Sequence, residues 1–170
     1  QRQMCIRDSQ IDRTIEALSG AIPFGKARVH TYVPVDPTLM VASLGRRAHD
    51  FSGIISEVGR YIEQAVAAGC EVEFSPEGYS RMGENFDFVT DLIRAAVQAG
   101  ASVINCPDTI GGASRMQCDD YFVTKMNRHA AIIGAEFPDR SVTWSVHCHN
   151  DFGLALDNSL EGVFRGPARQ

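Results

Sequence analysis

Glu71-Val72-Glu73-Phe74-Ser75-Pro76-Glu77 decides the fold of this chain. A β-strand sends successive side chains to opposite faces, so Glu71, Glu73, Ser75 and Glu77 line one face and Val72 and Phe74 the other. A strand in an open parallel sheet is covered by helices on both sides and reads as a nearly continuous apolar run. A strand with one polar face suits better the interior of a closed barrel that opens into a polar mouth.

The flanking sequence supplies the rest of the pattern. Ala65-Val66-Ala67-Ala68-Gly69 stands before this strand, and the similar Ala95-Ala96-Val97-Gln98-Ala99-Gly100 stands before the next, Ser102–Cys106. Gly69 is well suited to the left-handed position that ends a helix. Helical spacing recurs in Ile11, Ile15, Leu18 and Ile22, again in Ile54, Ile55, Val58, Ile62 and Val66, and in Asn85–Ala99. Further helices are expected over Asp119–Phe137 and from about Gly153 to Arg165, and a strand over Ala27–Val33. The segment 34–50, with Pro34 and Pro37, reads as a long loop. Strands start at about 28, 71, 102 and 142, so strand–helix units recur every 30 to 43 residues. That alternation calls for a parallel sheet with covering helices, which both a (β/α)₈ barrel and a doubly wound sheet satisfy. The polar face of 71–77 favours the barrel, and no G-x-G-x-x-G occurs to favour the open sheet.

The expected fold is therefore α/β: a partial (β/α)₈ TIM barrel of about four parallel strands with covering helices. A complete barrel takes about 250 residues, against 170 here. Residues 1–9 fit no part of the repeat and read as a non-native leader, and residues 10–170 as a fragment of a catalytic barrel. The chain closes on Gly166-Pro167-Ala168-Arg169-Gln170, where a helix has stopped and another strand is due.

Composition narrows the function classes. With 44% hydrophobic and 22% charged residues the chain is ordinary for a soluble globular domain. A net charge of −5 argues against nucleic acid or an anionic membrane as partner. No apolar run approaches the roughly 20 residues that span a bilayer. Cys5, Cys70, Cys106, Cys118 and Cys148 form no C-x-x-C pair and read as reduced, buried thiols of a cytoplasmic protein.

The chemistry concentrates in His147-Cys148-His149-Asn150-Asp151, which follows the β-type run Val142-Thr143-Trp144-Ser145-Val146. On a strand the two histidines share a face, roughly 6.5–7 Å apart at Cα. Neutral imidazoles so placed can share one divalent ion, at about 2.0–2.1 Å if it is zinc. The alternative is a pair of interior histidines satisfied by hydrogen bonds. The other strand ends contribute His30, then Ser75-Pro76-Glu77, then Pro107-Asp108-Thr109, and a barrel gathers such ends at its C-terminal face, where active sites lie.

Four stretches together resemble the 2-isopropylmalate synthases, within a broader barrel family that includes homocitrate and citramalate synthases and HMG-CoA lyase. They are Arg28–Tyr32, Val72–Glu77, Ile104–Gly111 and Ser145–Ala155. The resemblance runs from about Gln10 to Gln170 and implies barrel strands 4 to 7. The Ser-Pro-Glu segment favours the synthases over the lyases. The resemblance implies an acyltransferase: a metal-dependent Claisen-type condensation of acetyl-CoA with 2-oxoisovalerate in leucine biosynthesis, in a homodimeric parent. It implies His147 and His149 as ligands of a divalent ion (magnesium, manganese or zinc), Thr109 as a contact to the oxo-acid carboxylate, and His30, Ser75 and Glu77 as pocket residues. The resemblance also implies a part for Glu77 in proton transfer.

Each residue keeps a plainer alternative. His30 suits a packed interior site, Ser75 a turn before Pro76, Glu73 an interior hydrogen bond and Asp108 a loop cap. Asn150 and Asp151 suit the loop and the cap of the last helix, and Arg46-Arg47 a solvated pair rather than a CoA phosphate site. The synthase pattern also has an Arg-Asp pair on its first strand, which Arg7-Asp8 does not match, and a late Asn-Gly-x-Gly-Glu-Arg segment and a regulatory domain that are not in this chain. A homocitrate or citramalate synthase, a metal-dependent hydrolase of the amidohydrolase kind and a catalytically inactive metal-binding fragment are the competing readings.

Overall fold

The computed structural model describes residues 8–25 and 27–169. The elements alternate as expected: α1 (Asp8–Leu18), β1 (Arg28–Pro34), α2 (Pro37–Leu44), α3 (Phe51–Ala67), β2 (Glu71–Glu77), α4 (Phe86–Gln98), β3 (Val103–Asp108), α5 (Phe122–Glu136), β4 (Thr143–Cys148) and α6 (Ala155–Phe164). Short 3₁₀ turns cover Ile22–Phe24, Gly45–His49, Tyr79–Arg81 and Arg115–Asp120. The four strands form one parallel sheet in the order β1-β2-β3-β4. Beyond α6 the backbone returns to the sheet, where Ala168 makes a parallel bridge with Trp144. Four parallel strands with covering helices are part of a (β/α)₈ barrel.

Side chains sort by face as the alternation of β2 predicts. Val29, Val33, Val72, Phe74, Ile104, Cys106 and Trp144 are buried on the helix-covered face, a continuous apolar layer shared with Ile54, Ile62, Leu92, Ile93 and Met126 from the helices. β1 alternates exposed and buried residues from Arg28 to Val33. Pro76 is accommodated because pairing of β2 with β3 runs only from Glu73↔Val103 to Phe74↔Ile104, so its missing N–H removes no bond on that side.

The segment 34–50 is not a loop. Asp36 caps α2, its carboxylate accepting from Thr38 N at 2.7 Å and Leu39 N at 3.0 Å, and Pro37 occupies the first helical turn. The 3₁₀ turn Gly45–His49 then leads to Asp50, which caps α3 through Gly53 N. Ile22 lies outside α1, in its own 3₁₀ turn, so the four-residue stripe that it was expected to complete is broken at Ser19-Gly20. The expected leader 1–9 lies outside the described residues except for Asp8 and Ser9, which open α1.

Cysteine burial divides. Cys70 and Cys106 are buried as expected, but Cys148 is half-buried and Cys118 is exposed; all four are free thiols, and Cys5 lies outside the described residues. Cys118 sits at a kink with φ +52° in the 3₁₀ turn Arg115–Asp120, none of whose residues is buried. Under the helices, fully buried His129 of α5 bonds Tyr79 Oη through Nδ1 at 2.7 Å and Thr90 Oγ1 through Nε2 at 3.0 Å, and stacks on Phe86 at 4.2 Å. These contacts pin the turn that follows Glu77. No described helix is long and apolar enough to cross a membrane.

Candidate active site on the polar face of the sheet

The register aligns the polar residues across the strands. His30 lies opposite Glu73, Tyr32 opposite Ser75 and Pro34 opposite Glu77; Asn105 lies opposite Ser145 and Pro107 opposite His147. With period-2 alternation, His30, Ser75, Glu77, Asn105 and His147 belong to the face turned away from the helices, and Thr109 and His149 stand just past the ends of β3 and β4.

Four groups occupy that face. The most buried is a hydrogen-bonded row in which Ser75 Oγ, 1% exposed, meets His30 Nε2 at 2.7 Å and Asn105 Nδ2 at 2.8 Å. His30 is therefore not at a strand end; it is the third residue of β1. Ser75 does not shape a turn before Pro76, since β2 continues to Glu77. Towards the N-terminal ends of the strands Arg28 donates to Glu71 at 2.8 Å and to Glu73 at 3.3 Å, so Glu73 is hydrogen-bonded as expected, but at an exposed part of the face rather than in an interior. The Arg28 bond holds the Glu71 carboxyl below the usual carboxylate range.

At the C-terminal ends of β2 and β3, Thr109 Oγ1 accepts from Gly78 N at 3.0 Å and donates to Glu77 Oε1 at 2.8 Å. The one hydroxyl proton of Thr109 is thus committed to Glu77, which fixes the carboxylate's orientation. At the end of β4 the His147 and His149 rings stack, with centroids 4.9 Å apart and planes 17° from parallel, so the two imidazoles lie on the same side of the backbone. Both are exposed. The hydrogen bonds and ring contacts described do not join the four groups to one another.

The neighbouring loops are held from outside the face. Asp108, fully buried, accepts from Ser80 Oγ at 2.8 Å, Ala113 N at 3.0 Å and Asn158 Nδ2 at 3.3 Å, so it anchors the loop after β3 to α6. Asn150 Oδ1 accepts from Ala155 N at 3.2 Å, at the start of α6. Arg47 pairs with Glu57 at 2.6 Å on the exposed side of α3. Gly111, at φ +67°, packs so tightly that an added Cβ would lie 2.6 Å from the carbonyl oxygen of His149. Asn105 and Gly111 are the participants that the sequence reading assigned no role. Asn105 carried a usable signal, since it shares strand parity with Pro107 and Thr109 in the middle of an apolar run.

A barrel carries its functional residues at the C-terminal ends of its parallel strands, the side on which Glu77, Thr109, His147 and His149 stand. Residues 3–169 match the HMGL-like family, and the chain belongs to it. It is 37% identical over 163 residues to the 2-isopropylmalate synthase of Albidiferax ferrireducens, an alignment covering 96% of this chain and 29% of that protein. It is 33% identical over 169 residues to the 2-isopropylmalate synthase of Pasteurella multocida, covering 99% of this chain and 30% of the relative. The chain thus spans under a third of the length of these relatives. The crystal structure of the HMG-CoA lyase from Brucella melitensis superposes with a TM-score of 0.59 over 89% of this chain and 50% of that one, at 16% identity.

Proposed function

We propose that this chain forms the substrate-facing wall of a 2-isopropylmalate synthase, the acyltransferase that joins the acetyl group of acetyl-CoA to 2-oxoisovalerate on the way to leucine, working as a homodimer in the cytoplasm. The observation that carries the reading is the polar face itself: paired imidazoles, an oriented carboxylate and an open histidine backed by a buried serine stand on adjacent parallel strands. The names of its relatives agree with it.

The chain's residues divide the work by position. His147 and His149 present two nitrogen donors on one side of the β4 end, which fits two coordination positions of magnesium, manganese or zinc. Among the described residues no group of three or more His, Cys, Asp or Glu side chains completes a shell. A divalent ion held there supplies polarisation of the oxo-acid carbonyl. His30 faces the oxo acid with Ser75 behind it in the pocket wall, and Thr109 lies beside its carboxylate. Glu77, oriented by the Thr109 hydroxyl, accepts the proton as the acetyl methyl carbon of acetyl-CoA forms its bond to the carbonyl carbon. Hydrolysis of the resulting thioester then frees the CoA thiol.

The test uses a protein that carries this segment together with the rest of its barrel. His147→Ala and His149→Ala are expected to lower thiol release with 2-oxoisovalerate by at least about 100-fold, the scale of several kcal/mol of lost charge stabilisation. Glu77→Gln is expected to lower turnover while metal content, read by mass spectrometry, stays near normal. Normal rates in both histidine variants would overturn the metal assignment, and thiol release independent of any 2-oxo acid would overturn the reaction.

A further inference from the structure

We propose that Asn105 is a positioning residue that fixes the proton arrangement of His30 through Ser75, so that His30 meets its ligand as a hydrogen-bond donor through Nδ1. This deepens the synthase reading, and rests on it for the ligand: the oxygen of a 2-oxo acid.

The protons available along the row fix its direction. Ser75 Oγ has one proton and lies within hydrogen-bond distance of two nitrogens, Asn105 Nδ2 at 2.8 Å and His30 Nε2 at 2.7 Å. An amide nitrogen only donates, so Asn105 occupies a lone pair of Ser75 and cannot take its proton. The proton goes to His30 Nε2, which must be the bare, accepting nitrogen of the ring. A neutral imidazole with a bare Nε2 carries its proton on Nδ1. Glu73 would favour the opposite arrangement, but its Oε1 stands 4.0 Å from Nε2, beyond hydrogen-bond range, and its other oxygen accepts from Arg28. Asn105 is 3% exposed and Ser75 1%, so bulk water does not compete for the row, whereas nearly half of the His30 side chain is open. Nδ1 has no hydrogen-bond partner among the described residues, which leaves its N–H for a ligand oxygen. On this arrangement His30 Nε2 is spent and is not the general base, consistent with Glu77 in that role.

The chain labelled with ¹⁵N-histidine reports the tautomer directly in long-range ¹H–¹⁵N spectra at about pH 8, where an ordinary imidazole is neutral. A His30→Gln sample identifies the signals. The expected pattern is Nδ1–H. In Asn105→Asp the carboxylate accepts the Ser75 proton, Ser75 Oγ accepts from His30, and the pattern is expected to switch to Nε2–H. Unchanged His129 signals in the same spectra mark a retained fold. Ser75→Ala is the second variant; it removes the donor to Nε2 and is expected to abolish the dominance of Nδ1–H. An Nε2–H pattern in the unmodified chain, or a pattern indifferent to both variants, would overturn the proposal. No substrate enters this measurement, so it stands or falls separately from the synthase reaction.

Discussion

Gly111 is a single-atom constraint on His149. A side chain there meets both a left-handed backbone and the His149 carbonyl, so Gly111→Ala is expected to destabilise the chain by about 1–3 kcal/mol and to shift His149. Thermal unfolding reads the first effect and the His149 resonances the second; a neutral substitution would mean that the contact relaxes freely. Thr31 is the opposite case. Its hydroxyl is buried with no hydrogen-bond partner among the described residues, and Thr31→Val, nearly isosteric, is expected to stabilise by about 1 kcal/mol in denaturant titration. His129 adds a pH dependence. Burial lowers its pKa from 6.5 to about 4, with nearby Lys125 acting in the same direction and a bond to the Phe86 backbone opposing it. The folded chain therefore binds this proton less readily than the unfolded chain. Its contribution is complete above about pH 6.5 and is lost as pH falls towards 4, up to about 3 kcal/mol in all. His129→Gln should flatten that part of the stability profile. At this scale the sequence showed which residues share a face, because strand parity is written in the chain. It did not show the row through Asn105, because that bond depends on which residue of β3 lies beside Ser75, and register is set by packing.

The element that sequence reading missed, α2, is short and begins at a proline. Eight residues with only Met40 buried carry little amphipathic pattern, and Pro34 and Pro37 resemble loop punctuation. The readable signal was Asp36-Pro37, a cap followed by a residue preset for the first turn. Asp36 does more than cap: its second oxygen pairs with Arg81 at 2.5 Å, tying the start of α2 to the turn after β2. Asp36→Ala is expected to cost about 1–2 kcal/mol and to loosen Tyr79–Arg81, whereas Asp36→Asn keeps the cap, loses the ion pair and costs less. Hydrogen exchange at Thr38 and Leu39 separates the two, since only the alanine variant exposes those amides. The larger helices were legible because each carries a wide apolar stripe that the sheet then covers, as in Phe88, Val89, Leu92, Ile93 and Ala96 of α4.

Taken whole, the molecule leaves apolar surface uncovered on its last helix. Leu156 and Phe164 are more than 70% exposed, and with Leu160 and Val163 they form one stripe at helical spacing. β1 also ends the sheet in the strand order. Both features favour pairing between copies. Residues 11–170 expressed alone are therefore expected to self-associate on size-exclusion chromatography, and Leu160→Lys with Phe164→Glu to reduce it; a monomeric parent chain would contradict this. The parallel fold was legible at this scale because the strand–helix period repeats along the chain, and the family was legible through the resemblance of strand-end stretches such as Ile104–Gly111 and Ser145–Ala155. The strictly sequential order β1-β2-β3-β4 also bears on biosynthesis. Each strand docks on the one made just before it, so a chain leaving the ribosome always has its partner already in place. Such a sheet can grow vectorially, one strand–helix unit at a time, and the nascent chain need never wait for a distant segment to satisfy the edge it has just exposed.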